Sequence, residues 1–120
     1  MTIKQGDIYW VNLAAPRGSE PGFCHPCVVI QNDVFNASRI STVVVCALTT
    51  NLKRAQAPGN VTLNKGEANL TKQSVANISQ VVTVDKSDLK DKIGSLSPER
   101  TKDIIDGIKL LVEPLPNPRS

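Results

Sequence analysis

The single histidine of the chain, His25, lies in the segment CHPC at 24–27, between two of the three cysteines. Two cysteines separated by two residues occur in redox pairs and in structural zinc sites. A redox pair of this kind sits at the start of a helix, whereas the apolar run 27–30 is typical of a buried strand. A structural zinc site needs four ligands, and only Cys46 remains. The pattern therefore favours Cys27 and Cys46 as small core residues.

Several polar side chains accompany His25 in the same loop or within later predicted strands. They are Ser19, Glu20, Thr49, Thr50 and Gln80. Hydroxyls, an amide and a histidine can move protons, but no carboxylate cluster suited to magnesium accompanies them. Any hydrolytic or transfer chemistry should therefore be independent of metal ions, and no cofactor is expected. The alternative is that Ser19 and Glu20 only form a turn and that the threonines only cap a strand.

The segments around these residues are predicted to be mainly strands. Runs of β-branched and aromatic residues predict strands over 8–13, 27–30, 42–50, 61–63 and 74–84. Residues 14–26 are interpreted as a loop, and the polar stretch 85–96 as irregular chain with at most a short helical turn. A helix should begin after Ser97 and end before Pro114, because a serine cap precedes apolar residues at helical spacing. This order indicates a small, strongly bent sheet or barrel with one terminal helix.

Length and composition set further limits. The chain has 120 residues, which is enough for one domain. Its formal charge of +3 permits a polyanionic partner but does not by itself indicate one. Three cysteines cannot all pair, which favours a reducing compartment. The N-terminal sequence has no apolar signal segment, and the apolar run 43–48 is far shorter than the roughly 20 residues of a membrane helix. We therefore expect a cytoplasmic protein without a membrane partner.

Six blocks of the sequence, in order and spacing, resemble the MazF/PemK family of toxin endoribonucleases. The blocks are QGDIYWV at 5–11, GSE at 18–20, P-C-VVIQN at 26–32, LTTN at 48–51, GE at 66–67, and SVAN, SQ and TVDK within 74–86. The resemblance implies an SH3-like barrel of the CcdB/MazF type with a C-terminal helix, covering residues 1–113, followed by a Pro-rich tail at 114–120. It also implies a homodimer that cuts single-stranded RNA at specific sequences and is inhibited by a cognate acidic antitoxin.

The resemblance also suggests how the site would work. RNA can be cut without metal when its own 2′-OH attacks the adjacent phosphate, so the enzyme supplies proton transfer and positive charge. Thr49 matches the family's strand-end threonine, and His25 could act as acid or base. Lys53 and Arg54 are expected to contact phosphates, which would position the strand without reading its sequence. The positions expected to contact RNA are Arg17, Ser19, Glu20, Asn32, Lys53, Arg54 and Gln80.

One departure from the family pattern concerns Cys24, which occupies the position where a catalytic arginine is expected. Cysteine offers neither the charge nor the bidentate donors of a guanidinium. Loss of one preorganised contact to the transition state lowers a rate by roughly a hundredfold to a thousandfold. We therefore expect an active site of Cys24, His25 and Thr49 with attenuated activity.

Two other functions are compatible with the same fold. One is a catalytically dead homologue that still binds the antitoxin. The other is a CcdB-like gyrase poison, which would act through C-terminal residues. The Pro-rich tail at 114–120 contains no aromatic residue, and the GSE loop fits the RNA-cutting branch better.

Overall fold

The computed structural model describes residues 2–13 and 24–116, which form six strands and two helices. The strands are β1 (Asp7–Asn12), β2 (Cys24–Val29), β3 (Thr42–Thr49), β4 (Val61–Leu63), β5 (Ser74–Asp85) and β6 (Leu89–Ser95). They form one antiparallel sheet in the order β4-β5-β3-β2-β1-β6, curled into a half-barrel. The helices are α1 (Asp33–Asn36) and α2 (Pro98–Val112). The predicted mainly β fold with a C-terminal helix is confirmed.

Helix α2 begins and ends as its sequence predicts. The hydroxyl of Ser97 accepts a hydrogen bond from the backbone N–H of Arg100 at 3.1 Å, and Pro98 occupies the first helical position. Gly107 lets this helix approach the turn at Gly59 closely, because a Cβ there would lie 2.3 Å from the Gly59 carbonyl oxygen. The helix therefore covers one face of the curled sheet.

Side chains on the two faces of the sheet form two separate cores. The face under α2 is filled mainly by aliphatic residues, including Ile8, Val28, Leu48, Ile78 and Ile104. The opposite face carries a second cluster, including Tyr9, Val11, Cys27, Val45 and Ala47. Because both faces of β3 are covered, this strand is a nearly continuous apolar run. In β2 only the second half, from Cys27, is buried.

Three details of the secondary structure differ from the sequence-based prediction. The stretch 85–96, predicted to be irregular, contains β6, a polar edge strand whose pattern shows little apolar alternation because much of it is exposed. Strand β2 begins at Cys24 rather than at residue 27, because it pairs with β1 from its first residue. Helix α1 was not predicted, although the side chain of Asn32 caps it by accepting the N–H of Val34 at 2.8 Å.

Strands β2 and β3 separate at one end of the sheet. Their ladder runs from Val29 opposite Val45 to Cys27 opposite Ala47 and stops there. Beyond that point the first residues of β2 pair with β1 alone, while the last residues of β3 pair with β5. Pro26 has no N–H to donate to a ladder, which is consistent with the break at this position. The sheet is therefore open between the start of β2 and the end of β3.

Candidate active site

A cavity of about 650 Å³ occupies the opening between the two separated strands. His25 and Pro26 line it from β2, and Thr49 lines it from the end of β3. Ser79 and Gln80 contribute from β5. We call this cavity the active-site groove. It brings together four of the residues that the sequence singled out, His25, Thr49, Thr50 and Gln80, from β2, the end of β3 and β5. Cys24, which was also predicted for the active site, is not among its described lining residues.

An irregularity in β5 directs its polar side chains into the groove. Between Cys46 and Leu48 of β3, the partner residues on β5 run from Val81 to Ala76, so β5 carries extra residues at this point. Such bulges bend a strand and redirect side chains. Gln80 lies in this extra segment and is exposed at the groove, which explains how a mid-strand glutamine becomes available there.

The end of β3 leads directly into a short basic turn, the 3₁₀ segment Leu52–Gln56. The hydroxyl of Thr49 accepts the backbone N–H of Asn51 at 3.1 Å, and the side chain of Asn51 accepts the N–H of Lys53 at 3.2 Å. These two hydrogen bonds fix the basic turn to the strand end. Lys53 and Arg54 are exposed on it, beside the groove in sequence but not among its described lining residues.

The three cysteines differ sharply in environment. Cys24 is exposed at the first position of β2, opposite Asn12 of β1 and next to His25. Cys27 and Cys46 are fully buried, as predicted, and burial raises the pKa of each thiol to about 12. A thiol that stays protonated is a poor nucleophile and a poor metal ligand.

The groove has no acidic side chain among its described lining residues. Within 2–13 and 24–116, no group of three or more histidine, cysteine, aspartate or glutamate side chains is close enough together to hold a metal ion. None of the helices in these segments is long and apolar enough to cross a membrane. Because the described lining residues carry hydroxyls, an amide and an imidazole but no carboxylate, this part of the groove can accept a polyanion without charge repulsion.

The remaining predicted site residues fall in other places. Arg17, Ser19 and Glu20 lie outside the described residues. Asn32 caps α1 and lines a different cavity, beside Phe35, so its amide is engaged in local structure away from the groove.

Sequence reasoning missed the residues that hold the groove in shape. Asn60 and Asn77 hydrogen bond to each other and to the irregular part of β5. The available signal was Asn77, an amide within the short apolar run 75–78 of β5, since buried polar residues usually have a hydrogen-bonding role. Sequence reasoning also gave no role to Trp10, which is 44% exposed.

Comparison with known proteins identifies a family that matches most of this chain. A family model described as PemK-like, MazF-like toxin of type II toxin-antitoxin system matches residues 4–112. Endoribonuclease MazF6 of Mycobacterium tuberculosis is 36% identical over 113 residues, which covers 94% of this chain and 99% of that protein. Endoribonuclease MazF of Staphylococcus saprophyticus is 36% identical over 108 residues, covering 90% of this chain and 89% of that one.

Solved structures support the fold. A mycobacterial endoribonuclease in complex with its cognate antitoxin superimposes with a TM-score of 0.75 at 23% identity, over 95% of this chain and 99% of that chain. The matched region includes the curled sheet and the terminal helix, so the similarity extends through the strands that line the groove.

Proposed function

Since the chain belongs to the family of PemK-like, MazF-like toxins of type II toxin–antitoxin systems, we propose that it is a toxin that cuts single-stranded RNA at specific sequences. The observation that carries this proposal is the groove between β2 and β3, with His25 on one wall and Thr49 on the other. Relatives that are 36% identical to this chain over most of its length are named endoribonucleases, which supports the same activity here.

The proposed reaction needs no metal ion. The ribose 2′-OH attacks the adjacent phosphorus, forming a 2′-O–P bond while the P–O5′ bond breaks. A base accepts the 2′-OH proton, and the departing 5′-oxygen receives a proton. His25 is suited to one of these transfers, and the hydroxyl of Thr49 can donate to a phosphorane oxygen. Gln80 would contact the RNA by hydrogen bonds from the β5 side of the groove.

Cys24 is proposed to limit the rate. It is exposed next to His25 at the start of β2 but is not among the described lining residues of the groove, and we propose that the longer side chain of an arginine at this position would extend to the developing negative charge. A neutral thiol supplies no such stabilisation, so the activity of this chain should be attenuated. The same observation supports the second candidate function, a protein that binds antitoxin but no longer cuts RNA.

The partners follow from the family. We propose that the toxin domain spans 1–113, with 114–120 as a Pro-rich tail, and that it forms a homodimer. A cognate antitoxin with an acidic segment would occupy the RNA groove, which has no carboxylates among its described lining residues. The proposed location is the cytoplasm, where mRNA and antitoxin are both available.

The deciding experiment maps cuts in a long RNA by primer extension, using this chain and Cys24→Arg side by side. The expected result is weak cutting at defined sites by the native chain and cutting at the same sites by the variant, faster by about a hundredfold. Cutting should persist in EDTA, because no step uses a metal ion. Dependence on added magnesium would reject the mechanism.

Two other results would change the assignment. If neither protein cuts RNA but both bind an acidic antitoxin peptide, the dead-binder function replaces the ribonuclease. If Cys24→Arg cuts no faster than the native chain, Cys24 does not occupy the arginine position.

A further inference from the structure

A second cavity, of about 350 Å³, adjoins the active-site groove. We call it the Trp10 cavity. The indole of Trp10 and the side chain of Ile93 contribute its apolar wall, and Leu70 and Lys72 line it from the segment before β5. Trp10 is the only tryptophan of the chain and remains 44% exposed, although its strand β1 is paired on both sides, with β2 and β6. A large aromatic side chain left exposed inside a concave site suggests a ligand.

The Trp10 cavity and the active-site groove share three lining residues, Pro26, Thr50 and Ser74. Trp10 pairs with Pro26 across β1 and β2, and the neighbouring position on β2 is His25. Strand spacing and residue rise therefore put the backbones at Trp10 and His25 only about 6 Å apart. The two cavities meet where β2 and β3 separate, so one extended chain can occupy both.

The lining of the Trp10 cavity fits a nucleobase. A flat indole provides a surface for base stacking, and the surrounding hydroxyl and amide groups of Thr50, Thr71 and Asn69 can meet polar base edges. The one charged residue in the lining is Lys72, a cation suited to a flanking phosphate, and no carboxylate is among the described lining residues.

The segment that closes the Trp10 cavity is held in an unusual backbone conformation. Ala68 and Asn69 have φ angles of 48° and 63°, in the left-handed region that most residues avoid. The side chain of Asn69 donates to the carbonyl of Ile93 at 3.0 Å, and Gly94 has no Cβ that would collide with the Ala68 carbonyl. Strained backbone of this kind persists where the surroundings impose it and is concentrated at binding sites.

From these observations we propose that the Trp10 cavity binds one base of the RNA strand, next to the nucleotide at the cut. The inference rests on the proposed ribonuclease function and adds a stacking subsite to it. A single strand can pass between the separated ends of β2 and β3 and stack a base on the indole. A base in a duplex is already stacked on its neighbours and paired along its edge, so it could not enter the cavity. The stacking partner is Trp10, and Lys72 holds the adjacent phosphate.

The native protein provides the first test, because Trp10 is its only tryptophan and its emission reports on this cavity alone. The probe is a short RNA spanning a mapped cut, with deoxyribose at the scissile nucleotide so that no 2′-OH can attack. Binding is followed in parallel by anisotropy of a dye on the RNA. We expect the indole emission to change with the same midpoint as the anisotropy.

The second test identifies the base. Each nucleotide of the probe is replaced in turn by an abasic residue, and affinity is measured for the native protein, Trp10→Ala and Trp10→Phe. One abasic position should weaken binding by about tenfold in the native protein and in Trp10→Phe, yet have no effect in Trp10→Ala. Leu110→Ala, an exposed apolar residue on α2, is the control that should bind like the native protein.

The outcomes separate this inference from the function on which it rests. RNA that is bound and cut, with unchanged indole emission and no abasic position coupled to Trp10, overturns the subsite and leaves the ribonuclease intact. An emission change produced by an acidic antitoxin peptide but not by RNA assigns the cavity to the protein partner and also overturns the inference. Failure of the native chain and Cys24→Arg to bind or cut any RNA rejects the proposed function itself. If Trp10→Ala does not fold, the native protein alone decides the question. Loss of its indole emission change with one abasic probe supports the subsite, and an emission change that persists with every abasic probe overturns it.

Discussion

The side-chain oxygen of Asn60 accepts a hydrogen bond from the backbone N–H of Ile78 at 2.9 Å, inside the irregular part of β5. The amide nitrogen of the same side chain donates to the carbonyl of Arg54 at 2.8 Å and to the side chain of Asn77 at 3.3 Å. One asparagine therefore ties the basic turn to the segment that carries Gln80 into the groove.

Replacing Asn60 by alanine should loosen both connections. The N–H of Ile78 loses its side-chain acceptor, which should lower the free energy of unfolding by about 1–3 kcal/mol. Because Gln80 and the basic turn lose their common support, RNA affinity should fall as well. Denaturant unfolding and RNA binding measure the two effects. Asn64→Ala, an exposed asparagine in a neighbouring turn, should change neither. Unaltered binding by Asn60→Ala would show that the groove is held by other contacts.

Two substitutions of Thr49 separate the contribution of its hydroxyl to cleavage from that of its side-chain shape. Thr49→Ser keeps the hydroxyl and should retain cleavage within a few-fold, whereas the nearly isosteric Thr49→Val should lose about a hundredfold. The rates are best measured in the Cys24→Arg background, where they are easiest to follow. Thr62→Val on β4, which is not among the described lining residues of either cavity, is the matched control. Equal rates for the serine and valine variants would remove Thr49 from the reaction.

Lys53 and Arg54 should contribute to RNA binding without contributing to sequence preference. Each exposed cation that contacts a phosphate releases about one counterion, so replacing either by alanine should reduce the slope of log affinity against log salt by about 0.7–1. Affinity should fall similarly for cut and uncut sequences. Lys90→Ala on β6 controls for net charge. A slope that does not change would place the RNA away from the basic turn.

The cysteines should react very differently with an alkylating reagent. At pH 8 only the exposed Cys24 should be modified in the folded protein, because burial raises the pKa of the Cys27 and Cys46 thiols to about 12. Mass spectrometry should show one adduct in native conditions and three in denaturant. Two or three rapid adducts on the native protein would contradict the packed environment of the inner cysteines.

The ion pair between Glu67 and Arg100 should make stability depend on pH. Two hydrogen bonds from Arg100, at 2.9 and 3.0 Å, lower the pKa of the Glu67 carboxyl below its ordinary 4.5. A carboxyl with a lower pKa in the folded state stabilises the fold above pH 4.5, and that stabilisation disappears as the pH falls through the folded-state value. Glu67→Gln should therefore lower the free energy of unfolding by about 1 kcal/mol at pH 7 and by much less near pH 3.

Thermal or denaturant unfolding at several pH values checks this prediction. Asp91→Asn, which removes one exposed negative charge on β6, controls for the change in net charge. A Glu67→Gln effect that is equally large at pH 3 would mean that packing, and not charge, stabilises this contact.

Local signals in the sequence were sufficient for most of the secondary structure. The apolar runs 27–30 and 42–50 indicated buried strands, and Ser97 with Pro98 marked the start of α2, because capping and periodicity act within a few residues. The order of the motif blocks also carried the family. The exposed edge strand β6 was missed because its polar composition resembles that of a loop.

The sequence by itself determined the fold class, the family and the residue types available for chemistry. Only the tertiary structure decided that His25 and Thr49 share one groove and that Trp10 lies in a cavity joined to it. That arrangement depends on where the β2–β3 ladder stops and where β5 shifts its register, and both are set by pairing between distant strands. No local pattern encodes such a register, because it results from the packing of the whole sheet.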